Sequence, residues 1–298
     1  MTHIAVLGST NMDLVAYVEK APQRGETVTG REFRTIPGGK GANQAIAAAR
    51  AGATVSMIGA VGNDPYGTRL RSTLEHSGVD TDHLRTVEGP SGTAHIVVDD
   101  EGGNAIVVIP AANGTVDHLA PGDESLIASA DALLLQLEIP LKAVVAGAEA
   151  ARAHGVRTIL TPAPAQPLPP ELLAATDLLL PNEYEATTLT GLSDPIAAAR
   201  ALLDRVPAVV VTLGAAGSLY LTRDTAEPLA VPAPPVTAVD STGAGDTFAG
   251  ALAVALSEER PIREALRWAA AAAALSVQRP GASASMPYRS EIDRQHHA

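Results

Sequence analysis

The chain has 298 residues and a formal net charge of −12, from 33 acidic against 21 basic side chains. That field repels phosphate backbones and anionic lipid, and Phe 2, Trp 1 and Tyr 5 are too few for base stacking along a strand, so neither a nucleic-acid nor a membrane-surface binder is expected. The absence of cysteine excludes disulfides and thiolate chemistry, 46% hydrophobic against 18% charged residues excludes a disordered chain, and no apolar run is long enough to span a bilayer.

The N-terminal run Met1–Gly8 lacks a basic leading segment and a cleavage site. It is expected to be a first strand, not a signal peptide, and the expected location is cytoplasmic. Short, mainly apolar runs recur at Ile4–Leu7, Val55–Val61, Ala132–Leu137, Val156–Leu160, Leu178–Leu180 and Val209–Leu213. Such runs fit strands buried on both faces. The segments between them predict helices over Asn43–Arg50, Gly67–Ser77, Leu141–His154, Glu183–Thr190 and Pro195–Arg205. Alternation of this kind predicts an α/β fold, three layers with a mainly parallel sheet between helices, spanning 1–298 as one domain.

Two extended pairs interrupt the alternation. Leu14–Val18 and Arg31–Pro37 flank a turn-rich link, and Thr93–Asp99 and Asn104–Pro110 flank a hairpin signal at 100–103. They are expected to form a small separate sheet over about 14–37 and 93–110; the other reading is an extension of the main sheet. The C-terminal third reads as helical. Thr247–Leu256 repeats apolar residues at Phe248, Ala251, Leu252 and Ala255, and Ile262–Val277 is apolar nearly all round. The eight histidines show no ligand spacing, and His296 and His297 are expected to be exposed.

Six segments carry chemistry. Asp240-Ser241-Thr242-Gly243-Ala244-Gly245-Asp246 runs into a helix. Small residues there allow close approach, and free amides at a helix start hold an anion. Asp246 could take the proton of an accepting hydroxyl beside a bound phosphate, so phosphoryl transfer fits; an Asp cap behind a glycine turn fits too. Gly38-Gly39-Lys40-Gly41-Ala42-Asn43 also opens a helix but is not a Walker A loop, since Gly41 follows Lys40 where Ser or Thr is required. It suits a polyhydroxylated ligand near a phosphate, or a plain glycine turn with an Asn cap. Asn11 and Asp13 follow the first strand, where open α/β sheets bind ligands and where turn chemistry is also common. Glu138 ends a buried run, facing a cleft or merely the strand end. Asn182 and Glu185 share a helix face and could hold hydrated Mg²⁺, form a capping box, or both. Thr212-Leu213-Gly214-Ala215-Ala216-Gly217 is a strand followed by a glycine turn, suitable for nucleotide contact. Most of these would converge on one edge of a parallel sheet.

With these residues in hand, the chain resembles the ribokinase family of carbohydrate kinases (the phosphofructokinase B superfamily). The first signature matches Gly38 to Ala45 with Gly52, and the second matches Asp240 through Leu252. The resemblance runs from Gly8 to Ala282. It implies ATP-dependent phosphorylation of the O5 hydroxyl of D-ribose. Asp246 would be the base, and Gly243, Ala244 and Gly245 the anion hole. Asn11, Asp13, Gly39, Lys40, Asn43 and Glu138 would hold the sugar, together with Asp246. Asn182 and Glu185 would serve Mg²⁺ and phosphate, and Asn182, Thr212, Gly214, Gly217 and Gly245 would lie along the nucleotide. A monovalent cation, K⁺, would sit by Asp240, Thr242, Ser276, Arg279, Gly281 and Ser285, several through backbone carbonyls. The small sheet would be a lid that pairs two subunits into a homodimer.

Some positions depart from the family pattern. Ala215 and Ala216 replace residues that are often polar or basic, and Ala270 replaces a polar side chain that contacts nucleotide in some relatives. The chemistry is untouched, but nucleotide affinity or base preference is expected to loosen. Related acceptors are 2-deoxyribose, fructose and adenosine. A nucleoside would want an aromatic lid, and only Tyr17 and Phe33 offer one. A non-catalytic binding protein on the same fold, or a dinucleotide-dependent oxidoreductase, would lack the use for Asp246 that a kinase has.

Overall fold

The computed structural model describes residues 2–225 and 227–297. Its strands are β1 His3–Leu7, β2 Asn11–Tyr17, β3 Glu32–Gly38, β4 Thr54–Gly62, β5 Val79–Asp80, β6 Leu84–Val87, β7 Gly92–Val98, β8 Asn104–Ile109, β9 Ala132–Leu135, β10 Arg157–Leu160, β11 Leu178–Leu179, β12 Ala208–Thr212, β13 Ser218–Thr222 and β14 Leu229–Val231. Its helices are α1 Lys40–Arg50, α2 Pro65–His76, α3 Asp123–Ala128, α4 Leu141–Ala153, α5 Pro170–Ala174, α6 Glu183–Thr190, α7 Pro195–Leu202, α8 Ala244–Ser257, α9 Ile262–Ser276 and α10 Arg289–His297.

The large sheet runs β14-β13-β12-β11-β10-β9-β1-β4-β5, with β6 also on β4. It is parallel from β12 to β5, and β13 and β14 close one edge antiparallel. Successive residues of a strand point to opposite faces, and here both faces are buried. Ile4 and Val6 of β1 enter the core under α1, α8 and α9, while Ala5 and Leu7 enter the core under α4. This is why the inner strands read as mainly apolar runs without strict alternation. The expected three layers are present.

The second sheet is separate, in the order β3-β2-β7-β8, so the four extended segments do not extend the main sheet. Asp13 lies in one cross-strand row with Ile36 and Ala94, and Ala94 pairs with Val108. β8 is exposed along its whole length, and Phe33 (62%) and Ile106 (53%) are open to solvent.

Helix boundaries differ from expectation where caps decide them. α1 begins at Lys40, not Asn43, because Gly39 at φ +93° ends the extended run. α8 begins at Ala244 behind Gly243 at φ +74°. The antiparallel β13–β14 edge and α10 were not legible, since each is short and its apolar signal weak. α10 corrects the expectation for the terminal histidines. Ile292 is buried, Trp268 Nε1 donates to Asp293 Oδ1 (2.8 Å), and His296 is half-buried while His297 is exposed. No helix among the described residues is long and apolar enough to cross a membrane.

Candidate active site

Two helices aim their N-termini at one place. α1 and α8 pack so closely that a Cβ on Gly250 would stand 2.7 Å from Ala47 Cβ and 2.8 Å from the Gln44 carbonyl oxygen. Glycine at that crossing brings Asn43 and Gln44 of α1 against Asp246 in the first turn of α8. Asn43 Nδ2 donates to Asp246 Oδ2 (3.1 Å) and Gln44 Nε2 donates to Asp246 Oδ1 (3.0 Å).

Asp246 is only 8% exposed. Burial pushes its carboxyl above the usual range, and Glu138 adds to this; Lys40, Gln44 and Asn43 pull it back. The result is a carboxylate with raised proton affinity that remains hydrogen-bonded as an acceptor.

The expected anion hole is refined by the helix start. Thr247 N bonds the Gly243 carbonyl (2.8 Å) and Ala244 N bonds the Ser241 carbonyl (3.2 Å). The Ala244 amide is therefore spent, and among the described residues the amides of Gly245 and Asp246 have no backbone partner. Lys40, Asn182, Glu185, Thr161, Thr212, Gly243, Gly245 and Asp246 line one pocket of about 180 Å³ here.

On the sugar side of the expectation, Asn11, Asp13, Gly39, Lys40, Asn43 and Glu138 are brought together. Glu138 Oε2 accepts from Ser9 Oγ (2.5 Å) and from Lys40 N (3.0 Å), so it caps α1. Gly38 leaves room for Asp13, whose Oδ2 lies 2.4 Å from where a Cβ would be. Burial first, then Glu138 and Asp246, raise the Asp13 pKa to about 7, against a lowering by Lys40. Burial pulls the Lys40 ammonium down, but Asp246, Glu138, Glu185 and Asp13 outweigh it and hold it above the usual lysine value. One cation thus serves four carboxylates. The Asn43 Oδ1 atom is buried and has no partner among the described residues, an acceptor left over for a ligand hydroxyl.

Asn182 and Glu185 form the capping box: Asn182 N donates to Glu185 Oε2 (2.8 Å) and Glu185 N to Asn182 Oδ1 (2.8 Å). Burial raises the Glu185 pKa, and the Asn182 amide and Lys40 lower it. The box also lines the pocket beside Asp246, so both expected roles are open to it. No group of three or more metal-ligating side chains occurs among the described residues. That donor set suits a hydrated Mg²⁺ held mostly through phosphate, not a caged ion.

Next to the anion turn is an apolar cleft of about 520 Å³. Thr212, Gly214, Gly217, Gly245, Phe248, Ala270 and Val236 are among its lining residues. Its size falls in the range of small-ligand sites. Ala215 and Ala270 are in its walls, while Ala216 is exposed and outside them.

Asp240 ties two loops together, accepting from Thr242 N (2.9 Å) and Gly281 N (2.8 Å), and these bonds hold its carboxyl below the usual range despite burial. Ser276 and Ser285 donate to the carbonyls of Ala273 and Ala282, each at 2.8 Å, so their oxygens still accept. Arg279 turns its guanidinium to Glu291 (2.5 Å), leaving its carbonyl as its contribution to any cation. An oxygen-only donor set of this kind fits a monovalent cation.

Three residues that support the site were not singled out from the sequence. Gln44 is completely buried against Asp246 and Gln136 completely buried against Gln44, and Asn113 binds Thr10 N (2.9 Å) and Asn11 Oδ1 (2.8 Å). A glutamine in a helix or at a strand end carries no local signal of this. Only the unusual polar residue in an otherwise apolar run, as at Gln136, hinted at it.

The sequence profile described as pfkB family carbohydrate kinase matches residues 1–289. The chain is 44% identical over 298 residues to the ribokinase of Bacillus subtilis, covering 98% of this chain and 99% of that one. It is 40% identical to the ribokinase of Schizosaccharomyces pombe, covering 98% and 97%. The structure of Arabidopsis thaliana ribokinase complexed with ribose and ATP superposes with a TM-score of 0.94 at 35% identity over all of both chains. With two glycine-opened helices meeting at Asp246 and this likeness over its full length, the chain belongs to the pfkB family of carbohydrate kinases.

Proposed function

We propose that this chain transfers the γ-phosphoryl group of ATP to the O5 hydroxyl of D-ribose, giving D-ribose 5-phosphate and ADP. The observation that carries the reading is Asp246, a buried carboxylate at the start of α8, beside unspent amides and between a polar cluster and an apolar cleft. Two ribokinases among its relatives are 44% and 40% identical to it, and one similar structure is a ribokinase complexed with ribose and ATP.

In this reading the sugar lies against Asn11, Asp13, Gly39, Lys40, Asn43 and Glu138. Its reacting hydroxyl faces Asp246, which takes the proton as the oxygen attacks the γ-phosphorus and the bond to the β-phosphate oxygen breaks. The amides of Gly245 and Asp246, with the Gly243-Ala244 turn behind them, receive the charge that develops on the transferred group. Lys40 offsets the carboxylates around the sugar. The base and ribose of ATP lie in the apolar cleft along Thr212, Gly214 and Gly217, reaching Asn182 and Gly245. Mg²⁺, when bound near Asn182 and Glu185, neutralises phosphate oxygens. K⁺ is assigned to the loops of Asp240, Thr242, Ser276, Arg279, Gly281 and Ser285, steadying the anion turn from behind. The small sheet is read as a lid over the sugar and as the contact of a homodimer, which its exposed apolar residues support. The expected setting is cytoplasmic.

The test is ADP release from the purified protein with Mg-ATP and, in parallel, D-ribose, 2-deoxyribose, fructose, adenosine or no acceptor. Ribose-dependent ADP above every other acceptor is expected. Ribose as the poorest acceptor overturns the substrate, and no acceptor-dependent ADP overturns the kinase.

A further inference from the structure

Asp246 is held by a chain of two amides. Gln136 follows β9 and Gln44 lies on α1, and both are fully buried. Gln136 Nε2 donates to Gln44 Oε1 at 2.7 Å, and Gln44 Nε2 donates to Asp246 Oδ1 at 3.0 Å and to Thr161 Oγ1 at 3.3 Å. An ionised carboxylate only accepts, whereas an amide can turn either end toward it. A Gln44 carbonyl facing Asp246 would suit a protonated acid and repel the anion. With Gln136 Nε2 facing Gln44 as it does here, a turned Gln44 would set N–H against N–H, so this direction of the Gln136 amide disfavours it.

The other end of Gln136 sharpens the point. Its Oε1 is buried with no partner among the described residues, 2.0 Å from where Gly8 would carry a Cβ. Leaving a buried carbonyl unpaired is unfavourable, and an apolar side chain of equal length would fill the space without that cost. What the amide adds is its N–H₂ group, and that group is directed at Gln44.

We propose that Gln136 and Gln44 are positioning residues that hold Asp246 as a proton acceptor, Gln44 directly and Gln136 by fixing the direction of the Gln44 amide. This rests on Asp246 being the base.

The experiment is a double-mutant cycle on the full chain with Gln136→Met and Gln44→Met, read as kcat, KM and the acidic limb of the kcat–pH profile. Lys40, Asp13, Glu138 and Glu185 share the space around Asp246, so the limb is read as a difference between variants that keep all four. Gln136→Met is expected to lower kcat by up to about tenfold, the upper size of one neutral hydrogen bond. The limb should move to higher pH, and KM for sugar and nucleotide should stay within about twofold, on transition-state-only loss. In the Gln44→Met background, Gln136→Met should add less than about twofold, since the two act through one bond. An unchanged kcat and limb in Gln136→Met, or fully multiplicative effects, overturns the proposal. If Gln136→Met does not fold, Gln136→Glu replaces it: its kcat should fall as the new carboxyl ionises and loses its donor, and a profile like that of the parent overturns the proposal. Asp246→Asn is assayed alongside. Full turnover in Asp246→Asn removes the base assignment itself, while loss there with an unaffected Gln136→Met removes only the amide pair.

Discussion

Asn43 Nδ2 meets Asp246 Oδ2 at 3.1 Å although the two residues are 203 positions apart in the chain. That bond joins the two glycine turns into one site. It leaves Asn43 Oδ1 buried with no partner among the described residues.

Asp246→Asn is expected to lower kcat by about 10²–10⁴-fold with KM for ATP little changed, the usual size of a general-base effect. The fold should persist, because the substitution removes a buried charge. Steady-state ADP release and a thermal melt check both parts; wild-type turnover would remove Asp246 from the chemistry.

The raised pKa of Asp13 predicts a pH-dependent stability. The folded value is about 7 against the ordinary 3.8, so the native state binds the extra proton between those values. The contribution is complete below about pH 4 and is lost as pH rises through about 7. Without ligand, the melting temperature should fall from pH 5 to pH 8 by roughly 5 °C more in the parent than in Asp13→Asn. Parallel melting curves for the two proteins would count against it.

Gly250→Val tests the helix crossing. A Cβ there meets the backbone of Gln44 and Ala48 at 2.8 and 2.9 Å, so α1 and α8 must separate. A loss of ~1–3 kcal/mol by denaturant titration is expected from overpacking. A drop in kcat should accompany it, because Asn43 and Gln44 ride on α1. Unchanged stability would show that the crossing is loose.

Asp240→Ala should weaken the response of turnover to K⁺ more than it changes KM for ribose. Its carboxylate holds Thr242 N and Gly281 N, and both loops relax without it. A KCl titration of both proteins decides this, and an unchanged K⁺ response rules the loops out.

Ile106→Asp together with Val108→Asp should convert a dimer to a monomer in analytical ultracentrifugation. Both side chains are exposed on the small sheet, Val108 in the cross-strand row of Asp13 and Ile106 in the row of Val15. A parent protein that sediments as a monomer would remove the dimer reading.

Much of the site was legible residue by residue. The turns at 38–43 and 240–246 stood out because each sets glycines directly before a helix, and Asp246 was the carboxylate that follows those glycines into the helix. Gln44, Gln136 and Asn113 were not legible. A buried amide looks like any other amide until its partner is known, and these partners lie 92, 202 and 102 positions away.

The order of apolar runs and turns determined the α/β class, the parallel sheet and the edge at which polar residues collect. Those depend on local periodicity, which a sequence carries in full. Tertiary structure alone decided which helix starts meet, since the close contact at Gly250 sets α1 on α8. It also decided the proton affinities of Asp13 and Asp246, because burial and neighbouring charge exist only once distant segments are packed together.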